Sequence, residues 1–178
     1  MFNFKILGLI ALVILTGCAS PARIDQMAVH APGILTVDTP LKRSVGVTEV
    51  TGGRETNPLW SSQVSSESFQ RALELSLRNV GLSDPLLSAN KYHLTADILQ
   101  ISQPMLGLDM TVSANVRYSL IDTTTRKEIF SKVIVGTYTA KFSDAFAGVE
   151  RLKLANEGAA KTNIQLLVDE LLQFKPSK

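Results

Sequence analysis

The sequence predicts an α+β fold: an antiparallel-dominated four-stranded sheet with two helices packed on one face, in the order β-α-β-β-β-α. Three observations carry that expectation. Met110, Val112, Ala114, Val116, Tyr118 and Leu120 alternate strictly with Thr111, Ser113, Asn115, Arg117 and Ser119, as a strand with one covered and one wetter face does. Phe69, Ala72, Leu73, Leu77 and Val80 recur at helical spacing ahead of Gly81. Leu152, Ala155, Ala159, Ile164, Leu167, Val168 and Leu171 form a second helical stripe near the C-terminus.

Taken in order, Val45-Gly46-Val47-Thr48-Glu49-Val50 is a short β-branched run closed by Gly52-Gly53, and reads as the first strand. A polar loop from Arg54 to Ser62 carries Pro58 and the only tryptophan, Trp60. The first helix is expected from about Ser66 to Val80, with Gly81 placed to stop it. Ser83-Asp84-Pro85 and the small polar residues up to Asn90 form a loop. Tyr92, Leu94, Ala96 and Ile98 alternate as the next strand, followed by the strand around Met110–Leu120. Asp122 to Lys127 is a polar turn, and Ile129 to Ala140 returns antiparallel as the last strand. The final helix is expected from around Glu150 to Phe174, with Pro176 just beyond it; Gly148 leaves open whether Ser143 to Val149 belongs to it.

The N-terminus has the parts of an export signal. Lys5 is a short positive start, Ile6 to Leu15 is apolar apart from Gly8, and Thr16 and Gly17 are small before Cys18. This apolar run falls short of the roughly 20 residues a bilayer span needs. Leu15-Thr16-Gly17-Cys18 resembles the lipobox of bacterial lipoproteins, in which cleavage between Gly17 and Cys18 leaves an acylated cysteine as the new N-terminus. Cys18 is the only cysteine, so no internal disulfide competes for it. The organisation expected is therefore a signal peptide over 1–17, a lipidated linker over 18–43, and one periplasmic α+β domain over 44–175. The linker is read from Pro21, Pro32, Gly33 and Pro40 and the loss of any helical period, although Gly33 to Val37 can pair with a sheet edge. Fully extended, about 25 residues reach about 80 Å, which would hold the body clear of the lipid. The lipobox resemblance further implies, from Ala19 where inner-membrane proteins carry aspartate, the periplasmic face of the outer membrane.

The composition excludes several classes. Loss of Lys5 takes the formal net charge from +2 to +1, with none of the basic clustering that nucleic acid requires. His30 lies in the expected linker and His93 on the wetter sheet face, and no His/Cys/Asp/Glu group has metal-ligand spacing. No serine lies in Gly-x-Ser-x-Gly, and His93 and Asp97 on one strand stand about 13 Å apart by strand rise. Glu67, Glu74, Glu157, Asp169 and Glu170 read as solvent-facing helix charges. Gly52-Gly53 lacks the later Gly-Lys-Ser/Thr of a phosphate loop and reads as a tight turn. The expectation is a non-enzymatic protein with no catalytic residues, metal or cofactor.

Two surfaces remain for binding. Arg54, Asn57, Leu59 and Trp60 sit on a glycine- and proline-shaped loop of the kind interface anchors use, though Trp60 can equally fold back as a lid over helix and sheet. The wetter sheet face, with Thr95, Thr111, Ser113, Asn115, Arg117 and Ser119, can meet a partner or water. The chain also resembles small lipoproteins of proteobacterial envelopes: YajG-type lipoproteins, the lipopolysaccharide-assembly lipoprotein that plugs an outer-membrane barrel, and auxiliary lipoproteins of lipid-transporting ABC systems. The likeness lies in the lipobox, the glycine pair before a polar loop, Phe69-Gln70-Arg71-Ala72-Leu73 leading to Gly81-Leu82, and Ala159-Ala160-Lys161-Thr162-Asn163-Ile164 in the closing helix. It implies an accessory or assembly role beside an envelope protein partner, or alternatively a lipid or glycolipid carrier. Neither residues nor resemblance set the oligomeric state.

Overall fold

The structure, a computed structural model, describes residues 19–30, 39–58, 61–84 and 90–175. A one-turn helix α1 (Ile24–Met27) precedes β1 (Val45–Thr51), α2 (Ser66–Asn79), β2 (Tyr92–Ser102), β3 (Met110–Asp122), β4 (Glu128–Ala140) and α3 (Gly148–Gln173). The four strands lie in the order β1-β2-β3-β4. β1 runs parallel to β2, while β2–β3 and β3–β4 are antiparallel. Parallel neighbours cannot be joined by a hairpin, and α2 is the crossover between β1 and β2. α2 packs over β1, and α3 over β3 and β4, giving one helical layer on one face of the sheet. This is the α+β architecture and element order that periodicity predicts, preceded by α1.

Local chemistry sets the helix ends. Ser65 caps α2 by accepting a hydrogen bond from the Ser68 amide at 3.2 Å. At its other end Gly81 takes φ +75°, and the amides of Gly81 and Leu82 donate to the carbonyls of Arg78 and Leu77, the glycine-terminated closure that satisfies the last carbonyls. α3 begins at Gly148, and a single 3-10 turn at Phe142–Asp144 precedes it. The inward-facing residues of β2 and β3 meet Phe69, Leu73 and Leu77 of α2 and Ile164, Leu167 and Leu171 of α3 in a continuous core. Burial of each such side chain contributes roughly 1.5–3 kcal/mol. Nearer the start of α3 a second cluster is built from smaller residues, Ala114, Ala140, Ala155 and Ala159 with Met110 and Val112, so helix and sheet approach closely there.

The expectation of a linker over 18–43 is corrected for most of its described part. Ala19, Ala22, Met27, Ala28, Val29 and Leu41 are all buried. α1 contacts both α2 and α3, and residues 19–30 form a strap across the helical layer. A few apolar side chains dock against the two helices without a period long enough to read, which explains their loop-like reading. Arg23 fixes the strap by donating Nε and Nη2 to the two carboxylate oxygens of Glu157, each at 2.9 Å, and its backbone amide to the same group. Glu157, read from sequence as a solvent-facing charge, is thus buried beneath the strap. Farther along, Ser76 Oγ accepts from the Val29 amide and Asn79 donates to the Val29 carbonyl. The Gly33 to Val37 segment, the signal peptide and Cys18 lie outside the described residues. Among the described residues, no helix is long and apolar enough to cross a membrane.

Candidate functional site

Strand directions gather the loops of interest at one end of the sandwich. β1 and β2 both end there, β3 starts there, β4 finishes there, and α2 and α3 begin there. The loops 52–65, 103–109 and 141–147 are therefore neighbours, and the strap enters beside them. The Ala19 amide donates to the Pro58 carbonyl at 2.8 Å, and Ala22 to Gln63 at 3.4 Å. Lys153 Nζ donates to Ser20 Oγ at 3.2 Å and is also paired with Glu150. Ala19, the residue that follows Cys18 in the sequence, is thus fastened to this end of the body.

A polar knot holds the loops. Gln103 Nε2 donates to the Ser62 carbonyl at 3.1 Å and to Asn156 Oδ1 at 2.7 Å. Asn156, itself buried, donates to the same Ser62 carbonyl at 2.9 Å. Gln63 Nε2 donates to Gln103 Oε1 at 3.2 Å, closing the connection between loops 52–65 and 103–109. Beside the knot, Arg151 is buried at the start of α3. Its Nη1 donates to the carbonyls of Ala145 and Phe146 at 2.7 Å each, its Nη2 to Gly107 at 3.4 Å, and its guanidinium stands 5.0 Å over the Phe142 ring. Asp109 joins the same two loops by accepting the Phe142 amide at 2.9 Å.

The loop tips so fixed are apolar. Met105 is 96 % exposed, Leu106 91 %, Leu108 72 % and Phe146 88 %, with Phe142 half-buried against Phe146 in an edge-on ring contact. Sequence reasoning missed this group. Its signal was Met105-Leu106-Gly107-Leu108 standing between Pro104 and Asp109, where a connection between strands ordinarily carries polar residues.

Of the residues singled out for partner binding, Arg54 and Asn57 are exposed on the loop after β1, while Leu59 and Trp60 lie outside the described residues, as do Gly17 and Cys18. The Arg54 amide donates to Val64, and Ser61 donates back to Asn57, which folds the loop on itself. The glycine pair makes the tight turn read from sequence: Gly52 has φ +80°, and a Cβ there would meet the Ile98 carbonyl at 2.1 Å. Arg54 borders a small pocket of about 170 Å³ with Gly52, Gln63, Leu99, Gln100 and Ile101.

The wetter sheet face carries a hydroxyl ladder, Thr111 with Thr139 and Ser113 with Thr137, each pair at 2.9 Å. Asp97 is engaged there by Thr51 at 3.0 Å and Arg117 at 3.6 Å. No group of three or more His, Cys, Asp or Glu among the described residues is placed to hold a metal. The shifted ionisations accompany structural contacts. The hydrogen bond to Glu157 raises Arg23 above its ordinary range, and backbone amides of Thr125 and Thr124 lower Asp122 in the β3–β4 turn. Burial pushes the Tyr118 phenol well above its ordinary value.

No protein-family model matches the chain, and no curated protein matches it in sequence. Its fold does match solved structures of bacterial proteins. A DUF330-family protein from Xanthomonas campestris superposes with a TM-score of 0.59 at 11 % identity, over 82 % of this chain and 90 % of that one. A candidate lipoprotein from Caulobacter crescentus gives 0.54 at 14 % identity, over 76 % and 95 %. PelC from Paraburkholderia phytofirmans, a dodecamer, gives 0.50 at 19 % identity, over 77 % and 92 %. At these identities the likeness is one of fold.

Proposed function

We propose that the protein is a lipid-anchored accessory or assembly factor of the bacterial envelope, acylated on Cys18, held at the periplasmic face of the outer membrane, and without catalytic activity of its own. The observation that carries this reading is the exit of the strap. A lone cysteine in a lipobox-like sequence is bonded to Ala19, and Ala19 is fastened to the loop-bearing end of the body. An acyl chain on Cys18 would bring that end to a bilayer surface. The fold likeness to a candidate lipoprotein agrees with this reading, as does the resemblance to YajG-type and other envelope lipoproteins. The loop bearing Arg54, Asn57, Leu59 and Trp60 then lies beside the membrane, where an envelope protein partner can meet it.

The carrier alternative calls for an apolar cavity between helices and sheet. That space is filled by Tyr118, Phe69, Leu73, Leu94 and Leu120, all essentially inaccessible, so the accessory reading is preferred.

Growth with labelled palmitate tests the anchor: the polypeptide should carry label, and Cys18→Ala should remove it. Affinity capture from detergent-solubilised envelopes tests the partner. One protein should be recovered in stoichiometric amount and lost with Arg54→Ala or Trp60→Ala. Recovery of abundant porins alone, equal for wild type and variants, would count against an assembly role.

A further inference from the structure

We propose that Met105, Leu106 and Leu108, together with Phe142 and Phe146, form an apolar foot that enters the lipid layer beside the Cys18 acyl chains and sets the orientation of the body on the membrane. The inference rests on the anchor reading above and adds to it a second, non-covalent membrane contact.

The side chains are large and apolar, four of them largely exposed and Phe142 half-buried against Phe146, and they stand on two neighbouring loops. Grouped exposure of this kind marks an interaction surface. The opposite end of the same β3–β4 pair supplies an internal contrast. Its turn, Asp122 to Lys127, is polar throughout, as a connection facing water should be. Among the described residues, the loops with large, exposed apolar tips lie at the end from which the chain leaves toward Cys18.

Three features favour lipid as the occupant. The residues project from loop tips, the form that enters a soft layer, instead of lining a groove that would take a peptide. The foot is held ready: Arg151 ties Gly107 to Ala145 and Phe146, and Asp109 ties the two loops at Phe142. Entry therefore needs no ordering of loose chain, which would oppose binding. The chain toward the anchor also leaves from this end of the body: Lys153, which holds Ser20, and Arg151, which holds the foot, both lie in the first turns of α3, their side chains directed to different sides of that helix. Two or three acyl chains on Cys18 anchor durably where one would be marginal, but they leave the body free to turn about the tether. An apolar foot adds area to the anchor and, unlike a flexible chain, fixes which face of the body looks down.

The test uses the full chain, processed and acylated in a bacterial host. Acylation occupies the only native thiol, so Leu106→Cys, Phe146→Cys and, on the open sheet face, Val135→Cys each provide one site for an environment-sensitive fluorophore. All three positions are exposed, so the labels leave the core intact, and circular dichroism checks this. The proteins are reconstituted into phosphatidylethanolamine–phosphatidylglycerol vesicles with or without lipids carrying a quencher in the acyl region. Labels at 106 and 146 should shift to the blue and lose emission to the quencher, while the label at 135 should do neither. If acylated, vesicle-bound protein leaves all three labels equally water-exposed, the foot is refuted and the anchor stands. If 106 and 146 shift in native envelope membranes but not in pure lipid, the occupant is a protein and the lipid assignment is refuted. If intact mass shows no acyl groups on Cys18, the anchor reading and the foot fall together.

Discussion

Gly136 of β4 lies directly against the backbone of Asn163 in α3: a Cβ built on the glycine would stand 2.4 Å from the Asn163 nitrogen and 2.6 Å from the Ala159 carbonyl oxygen. Here the helix rests on the sheet with no side chain between them. Asn163 uses that closeness to donate its amide hydrogens to the carbonyls of Ala114 and Ile134, at 2.9 and 2.8 Å. Gly136→Ala should therefore force the helix outward and destabilise the protein by about 1–3 kcal/mol. Chemical denaturation should show a lower midpoint with an unchanged slope. A wild-type midpoint would mean that helix and strand separate freely at this point.

The same asparagine accepts a hydrogen bond from the Tyr118 hydroxyl at 2.7 Å, entirely within the core. Asn163→Leu would leave the buried phenol without this partner and take one hydrogen bond from each of two carbonyls, at a cost of about 1–3 kcal/mol. Tyr118 also predicts an alkaline response. Burial raises the phenol pKa in the folded state, whereas the unfolded value is about 10. The contribution of the protonated phenol is thus fully present below about pH 10 and is lost as pH rises from there toward the folded pKa, because the folded state then holds a proton that the unfolded state has released. Tyrosinate absorbance should show Tyr118 ionising only together with unfolding, and Tyr118→Phe should remove that component. Ionisation of all three tyrosines before any loss of structure would contradict its burial.

The Arg23–Glu157 pair makes the strap part of the body. Arg23 is half-exposed while Glu157 is buried, so solvent screens one partner but not the other. Arg23→Ala should leave the buried carboxylate with the backbone amide of residue 23 but no cation, and cost about 1–3 kcal/mol. Limited proteolysis should cut the variant between residues 19 and 30 well before the wild type. Adding Glu157→Gln should recover part of the stability, since the neutral amide tolerates burial without a cation. Equal cleavage rates in wild type and variant would show that the strap is held by its apolar contacts alone.

What the sequence reveals here follows the range of the interactions. β3 was legible because alternation is a property of adjacent residues, and α2 because its apolar period and the Gly81 stop are local. The strap was not: Ala22 and the three-residue run Met27-Ala28-Val29 are too short to show a helical or strand period, and their burial depends on a groove built by residues far away in the chain. Glu157 misled for the same reason. It lies off the apolar stripe of α3, and only the strap covers it. At the loop-bearing end, Arg54 and Asn57 were legible as an exposed loop. The apolar tips required noticing that Met105, Leu106 and Leu108 violate the polar habit of turns. The polar knot of Gln103, Ser62 and Asn156 has no sequence signature, because its members come from three separate elements.

Arg151 offers the sharpest test of how the loop-bearing end is organised. Its planar guanidinium reaches the carbonyls of Ala145 and Phe146 with one nitrogen and Gly107 with another, joining the loop that enters β3 to the loop that leaves β4 at the open end of that hairpin. A lysine ammonium has no comparable fork. Arg151→Lys should therefore behave much like Arg151→Met: both should lose about 1–3 kcal/mol of stability and accelerate amide hydrogen exchange across 104–109 and 142–147. Exchange in the β2–β3 ladder should remain near wild type, because those amides are held by strand pairing independent of Arg151. Retention of slow exchange in both loops with lysine at 151 would show that positive charge suffices and that the fork geometry is not what aligns the tips.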